Sequence, residues 1–359
     1  MQLIHQVAPS LDEREVDAVS AYLRSGGWLT EFEKTVEFED LIAKSVGARF
    51  ATVVNNGTIS LSLALLALGV GPGDEVLVPN LTMIASPNAV TFIGARPILV
   101  DVAEEDLCMD LGQAKRKTTA ATKALMYVNL NGRGKYLSQF ESFCRERGLF
   151  LLEDAAQAMG SSTGQRFHGT FGHIGSYSFS PHKIITTGQG GALVTNEEKL
   201  YTRVEKLKDF GRLQGGSDIH GEFGINCKFT DVQAVIGIEQ IKKLPTRIER
   251  KRQIYRTYRE LLKDVPGLVF IDTDLHEVTP WFVDIYVKDP EALQKFLKIR
   301  NIGTRRIYPP VHSQRLFQLA ESFPVSEKYC AMGLWLPSSL SLTQEQIEYV
   351  CWHIRSFYS

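Results

Sequence analysis

Between residues 50 and 195, short apolar runs alternate with helix-forming stretches, and this alternation constrains the fold more than any other feature of the chain. The runs at 50–54, 75–79, 97–102, 124–130 and 149–153 are apolar and too short to be helices. Stretches such as 59–68, 86–92 and 137–147 carry Leu and Ala or a helical spacing and separate most of the runs. Strands joined through helices pair in parallel and have both faces covered. Two more short runs, 175–179 and 191–195, lie on either side of a Gly-rich turn. The predicted fold class is therefore α/β, with a large sheet between helical layers.

The ends of the chain follow other patterns. Residues 10–23 read as an amphipathic helix with Leu11, Val16, Val19 and Leu23 on one side, closed by Gly26-Gly27, and a second helix is expected over 34–45. Residues 230–262 read as long helices interrupted at Pro245. Beyond 268, a short strand at 281–287 and helices at 290–299 and 343–357 suggest a smaller α+β unit. This divides the chain into a large domain, 1–245, and a small C-terminal domain, 246–359, with the N-terminal helix a candidate to pack on the latter. The basic segment from Lys242 and Lys243 to Arg252, with Glu249 among Ile248 and Ile254, reads as a solvated helix face.

Composition excludes several functions. The 40 basic and 41 acidic residues balance to a net charge of -1, without the basic excess of a nucleic-acid or membrane-surface protein. The five cysteines are scattered, with no Cys-x-x-Cys pair, which argues against a disulfide framework or zinc site and fits a reducing compartment. The eight histidines form no His-x-x-x-His pair, so no metal is expected. No run is apolar enough to span a bilayer and the first residues do not read as a signal peptide, so a soluble cytoplasmic protein is expected.

Three constellations bear on chemistry. Asn55-Asn56-Gly57-Thr58 leads from a strand into a helix, whose free N–H groups suit a phosphate. The alternative is an ordinary turn capped by Thr58. Leu151-Leu152-Glu153-Asp154-Ala155-Ala156-Gln157 brings Asp154 to the carboxyl end of a strand, where ligands of open α/β sheets sit. A buried carboxylate there needs a cation partner; otherwise it caps the next helix. Ser178-Phe179-Ser180-Pro181-His182-Lys183, followed by Thr186-Thr187-Gly188-Gln189-Gly190-Gly191, puts a lysine between an apolar strand and a glycine turn. That setting suits an amine activated by desolvation. Gly69-Val70-Gly71-Pro72-Gly73 lacks the Lys-Ser/Thr of a phosphate loop and reads as a turn.

Together with Gly27-Trp28-Leu29-Thr30, Gly71-Pro72-Gly73-Asp74-Glu75-Val76, Asp231-Val232-Gln233-Ala234, Tyr308-Pro309-Pro310-Val311-His312 and Leu336-Pro337-Ser338, these motifs run over nearly the whole length. In order and spacing the chain resembles the DegT/DnrJ/EryC1/StrS sugar aminotransferases, which are fold-type I enzymes dependent on pyridoxal 5'-phosphate. The resemblance implies a large mixed-sheet α/β/α domain with a smaller α+β domain. It implies Lys183 as the Schiff-base lysine and proton carrier, and Asp154 as the partner of the pyridine nitrogen. Gln157 falls near the phenolic oxygen, and Gly57, Thr58 and Ser178 at the phosphate. Asn226 falls at the phosphate of a second subunit, which implies a homodimer with shared sites. L-glutamate is the implied donor, with pyridoxamine phosphate as the intermediate cofactor form.

The chain departs from its relatives in places. Met83 stands where the family has a ring stacked on the cofactor, and it is polarizable enough to cover the same face. Phe32-Glu33, Asn226-Cys227-Lys228 and Asn129-Leu130-Asn131-Gly132 also differ. The stretches 84–90 and 186–191 are most similar to members that aminate C4 of nucleotide-linked 4-keto-6-deoxy sugars, the perosamine synthases. In that reading Tyr308 and His312 lie near the sugar and Arg305 meets a nucleotide phosphate; the alternative for Arg305 is a surface ion pair. Amination at C3 is the neighbouring possibility. A dehydratase of the same cofactor class carries His at the position of Lys183, and a non-catalytic regulator has no use for Lys183, Asp154 and Ser178 together.

Overall fold

The computed structural model describes residues 3–359. The expected apolar runs form strands β1 (Phe50–Val54), β2 (Glu75–Pro79), β3 (Arg96–Val100), β4 (Thr122–Val128) and β5 (Phe150–Asp154). A small ribbon of β6 (Ser162–Thr163) and β7 (Arg166–Phe167) precedes β8 (Ile174–Ser178) and β9 (Gly191–Thr195). Among the described residues the main sheet has seven strands in the order β1-β9-β8-β5-β4-β2-β3. The block from β8 to β3 is parallel, and β9 runs antiparallel to both β8 and β1. The fold is thus α/β with a mixed, mostly parallel sheet.

Helices α1 (Glu13–Arg24), α2 (Glu33–Val46), α3 (Gly57–Ala67), α4 (Ala85–Phe92), α5 (Leu111–Lys117), α6 (Leu137–Arg147), α7 (Glu198–Lys208), α8 (Asp231–Lys242) and α9 (Leu244–Leu262) accompany this sheet. Successive side chains of a strand point to opposite faces. Val76, Ala124, Met126 and Leu152 accordingly pack with Leu61, Leu65 and Val90 of α3 and α4. Leu77, Leu125, Tyr127 and Leu151 pack on the other side with Phe140 and Phe143 of α6. Burial on both faces is why these strands read as continuous apolar runs. The glycine-rich 69–73 segment is the turn from α3 to β2, with Gly69 and Gly73 at positive φ.

A second sheet has the order β10 (Val283–Tyr286), β12 (Gly333–Leu336), β11 (Arg305–Arg306). Helices α10 (Pro290–Lys298), α11 (Pro324–Met332) and α12 (Gln344–Tyr358) surround it. Ile254, Tyr258 and Leu262 of α9 enter its core. A buried polar knot joins the two sheets. Arg133, after β4, pairs with Asp284 of β10 at 2.7 Å, and Asn131 Nδ2 donates to the same carboxylate at 2.9 Å.

Two expectations about helix faces are reversed. The N-terminal helix does not pack on the C-terminal unit: α1 lies against α8, while the extended segment before it reaches across, Ile4 pairing with Ile302 and Gln6 bonding Leu336 and Ser338. The apolar residues Val16 and Leu23 of α1, with Leu11 just before it, are exposed, whereas Glu15 is 2 % exposed. Glu15 accepts from Gln240 at 2.7 Å and is paired with Lys243 at 2.6 Å. The helix is docked by charge, and its apolar side is left uncovered.

The basic stretch at the α8–α9 junction is likewise not a solvated face. Lys243, Arg247 and Lys251, spaced by four and so on one side of the helix, are 8 %, 6 % and 5 % exposed. Lys243 meets Asp12 and Glu15. Arg247 donates to the Ile184 carbonyl at 2.8 Å, and Lys251 to the Trp281 and Ser338 carbonyls at 2.7 and 2.6 Å. Carboxylates of the N-terminal segment satisfy Lys243, and main-chain carbonyls from distant loops satisfy Arg247 and Lys251, which the local sequence does not reveal.

Candidate active site

The carboxyl ends of the parallel strands meet the N-terminus of α3 around a cavity of about 290 Å³. A larger groove of about 730 Å³ follows the β3 edge and residues 316–321, but it contains none of the chemistry-bearing residues. The smaller cavity is the chemical one.

Its floor is set by strand ends. β5 ends on Asp154, whose Oδ2 accepts from Ser86 Oγ at 2.8 Å and whose Oδ1 accepts from the Ala156 N–H at 3.2 Å. Burial pushes the Asp154 carboxyl above its ordinary range, while these donors and the Lys183 charge pull it down. Such a carboxylate calls for a cation in the cavity.

β8 ends on Ser178, beside the first turn of α3. Asn56, rather than Thr58, is the N-cap: its side chain accepts from Ile59 N–H at 2.9 Å. The amides of Gly57 and Thr58 therefore stand in the first turn, with the positive end of the helix. A Cβ on Gly57 would lie 3.0 Å from Ser178 Cβ and 3.2 Å from its Oγ. Glycine at 57 is what lets the helix end and the serine hydroxyl share one seat. Two amides, a hydroxyl and a helix N-terminus form a donor set suited to a phosphate.

Lys183 lies in the loop between β8 and β9. The neck of this loop is closed by Phe179 N–H to Gly190 O at 2.9 Å and Thr187 N–H to Phe179 O at 3.1 Å. From outside it is held by the Arg247 bond to Ile184. Burial lowers the Lys183 amine to about 8; Asp154 opposes this shift and Arg305 adds to it. A larger share of the amine is thus unprotonated near neutrality than for a solvated lysine.

The walls come from both sheets. Gln157 Oε1 accepts from the Asn131 N–H at 2.8 Å, and its Nε2 is 3.5 Å from the Tyr308 hydroxyl. Tyr308 packs edge-on against Trp335, and burial raises its phenol. Met83 lines the cavity and is 44 % exposed, free to cover a flat ligand. Arg305 also lines it, and among the described residues no carboxylate forms an ion pair with it. Its guanidinium stands 5.4 Å from the Trp335 ring, so the surface ion pair is not what it makes.

The structure therefore brings Gly57, Thr58, Met83, Asp154, Gln157, Ser178, Lys183, Arg305 and Tyr308 into one cavity. Two expected residues stand apart. His312 does not line it: its backbone N–H donates to Asn80 Oδ1 at 2.9 Å, and its ring packs on Phe323. His312 thus braces the loop that carries Met83. Asn226 is exposed, away from the cavity, with its side chain accepting from Lys228 N–H at 3.3 Å. Sequence reasoning missed Trp281, which lines the cavity from the chain before β10, and Ser86, which lies behind Asp154. Ser86 lies in the 84–90 stretch that resembles the C4-aminating members; nothing local marked Trp281.

A buried amine and a buried carboxylate beside a phosphate-type seat, at the carboxyl edge of a mostly parallel sheet, define an enzyme of the aminotransferase class. The model of the DegT/DnrJ/EryC1/StrS aminotransferase family matches residues 9–355. The chain is 37% identical to the GDP-perosamine synthase of Escherichia coli O157:H7, with all of both chains covered. It is 32% identical to the GDP-perosamine synthase of Vibrio cholerae, covering 98% of each. The crystal structure of the aminotransferase TlmJ from Streptoalloteichus hindustanus superposes with a TM-score of 0.94 at 31% identity, covering 99% of this chain and 98% of that one. This chain belongs to the DegT/DnrJ/EryC1/StrS aminotransferase family.

Proposed function

We propose that the chain transfers the amino group of L-glutamate to C4 of a nucleotide-linked 4-keto-6-deoxy sugar, as a GDP-perosamine synthase does, with pyridoxal phosphate held at Lys183. The observation that carries this is the meeting of Lys183, Asp154 and the Gly57–Ser178 seat in one cavity. The 37% identity to a GDP-perosamine synthase over the full length supports the substrate class.

The donor set fits the cofactor. Gly57 and Thr58 amides with the Ser178 hydroxyl would hold the phosphate, Asp154 a protonated ring nitrogen and Gln157 the phenolic oxygen, with Met83 free to cover the ring. Bound there, pyridoxal phosphate supplies an electron sink and a carrier for the amino group. Asp154 would keep the ring nitrogen charged, and Lys183 would anchor the cofactor and, as a free amine, carry the proton at the substrate carbon. Arg305, without a carboxylate ion pair among the described residues, meets a phosphate of the nucleotide, and Tyr308 borders the sugar. Asn226 serves the phosphate of a second copy. The uncovered apolar side of α1, continued by exposed Trp28, Leu29 and Phe32, supports a homodimer.

The test has two stages. Protein loaded with pyridoxal phosphate is treated with borohydride, and the modified peptide is mapped by mass spectrometry; attachment at Lys183 is expected, and its absence would overturn the cofactor assignment. GDP-, dTDP- and UDP-linked 4-keto-6-deoxy sugars are then offered with glutamate. Attachment without amination of any of them would leave the cofactor standing and remove the substrate reading.

A further inference from the structure

The Lys183 amine is not suspended in open cavity. Its Nζ lies 4.1 Å from the centroid of the Trp281 ring. The same indole donates its Nε1–H to the carbonyl of His182, one residue before the lysine, at 2.9 Å. One side chain thus touches both the amine and the backbone that bears it. Trp281 is itself fixed on three sides. Its ring stacks on Phe282, with centroids 3.8 Å apart, and meets Trp335 edge-on at 5.6 Å. Its carbonyl accepts from the buried Lys251 at 2.7 Å. At 5 % exposure it has no room to turn away.

We propose that Trp281 is the positioning residue for Lys183: its indole face is the seat of the lysine ammonium whenever the amine is not engaged by cofactor, and its N–H pins the 182–183 backbone. This rests on the assignment of Lys183 as the cofactor-bearing lysine. An indole face attracts a cation, most strongly where water is excluded. The other charged or titratable groups facing the amine are Asp154 from β5, Arg305 from β11 and its neighbour His182. Asp154 draws the ammonium towards the cofactor ring and Arg305 repels it. Trp281 offers a third, uncharged resting place inside the cavity, with no ion pair to break. The adjoining Arg247 and Lys251 contacts make α9 the common support of the loop and of the seat.

The experiment compares wild type, Trp281→Phe and Trp281→Leu. Borohydride attachment of cofactor to wild-type Lys183 is verified first; its failure removes the underlying assignment and not the seat. Acylation of Lys183 by an amine-selective anhydride is then followed against pH in the cofactor-free full-length chain, by mass spectrometry of the Lys183 peptide. Loss of the ring face should move the Trp281→Leu midpoint down by about 0.5–1 pH unit. Trp281→Phe, which keeps a weaker face and loses the N–H, should fall between. Folding is checked by thermal melting, and if Trp281→Leu does not fold, Trp281→Phe is read alone. A midpoint equal to wild type in the folded variant overturns the proposal.

Discussion

At the scale of single residues, the site is built by groups that act on other groups. Ser86 holds Asp154, and Gly57 makes space for Ser178. Replacing Ser86 by Ala leaves one buried carboxylate oxygen without its donor, a loss of about 1–3 kcal/mol. Cofactor affinity should fall about tenfold for each 1.4 kcal/mol that reaches binding. Equilibrium dialysis with pyridoxal phosphate measures it, and an unchanged affinity would show that Ser86 is not supporting Asp154. Gly57→Ala places a Cβ against Ser178 and should weaken cofactor binding while sparing the melting temperature of the cofactor-free protein. Lys183→Ala should lower turnover by about 10²-fold or more if Lys183 carries the proton as proposed, measured by glutamate-dependent amination. The depressed Lys183 amine also sets a pH dependence. The step that needs the free amine should speed up as pH rises towards about 8 and level off above it.

At the scale of elements, buried charge does the joining. Arg133 and Asp284 tie the loop after β4 to β10, and Asn131 carries the connection on to Gln157. Removing one partner of a buried ion pair costs about 3–5 kcal/mol. Asp284→Ala should show that loss in urea denaturation and should also disturb the Gln157 wall. Lys251 of α9 is a different case, because burial lowers it to about 7 and its partners are two carbonyls and the Phe282 ring, with no carboxylate pair among the described residues. Its folded value lies below its unfolded one, so between pH 7 and its ordinary range near 10.4 the unfolded chain binds more protons. Stability from this residue therefore rises with pH across that window. Lys251→Met should flatten the rise, as seen by following the melting temperature from pH 7 to 9.5; an undiminished slope would exclude Lys251 as its source.

At the scale of the whole molecule, α1 presents an apolar side to solvent while its polar side is spent on α8. No helix among the described residues is long and apolar enough to cross a membrane. In the proposed homodimer, the apolar face of α1 would lie against a second copy and Asn226, outside its own cavity, would serve the partner's site. Complementation tests this. Lys183→Ala and Asn226→Ala chains, each impaired alone, should regain activity when unfolded and refolded together, because one site of the mixed dimer then has both residues. A mixture no more active than its parts would count against sharing.

The sequence by itself determined the sheet and the chemistry at strand ends. Strands buried on both faces are apolar without interruption, so β1, β2 and β9 were legible to the residue. β3, β4 and β5 were legible to within two residues at either end. Asp154 stood out because it lies at the carboxyl end of an apolar strand, and Lys183 because it lies between an apolar strand and a glycine turn. The tertiary structure decided which way each helix faces. Glu15 is buried because Lys243, 228 positions away, meets it. Lys251 is buried because carbonyls 30 and 87 positions distant accept from it. Trp281 is in the site because β10 is carried to the carboxyl edge of the first sheet. A periodic pattern reports the spacing of residues along one element. The partner that covers each face comes from elsewhere in the chain, and only folding brings it there.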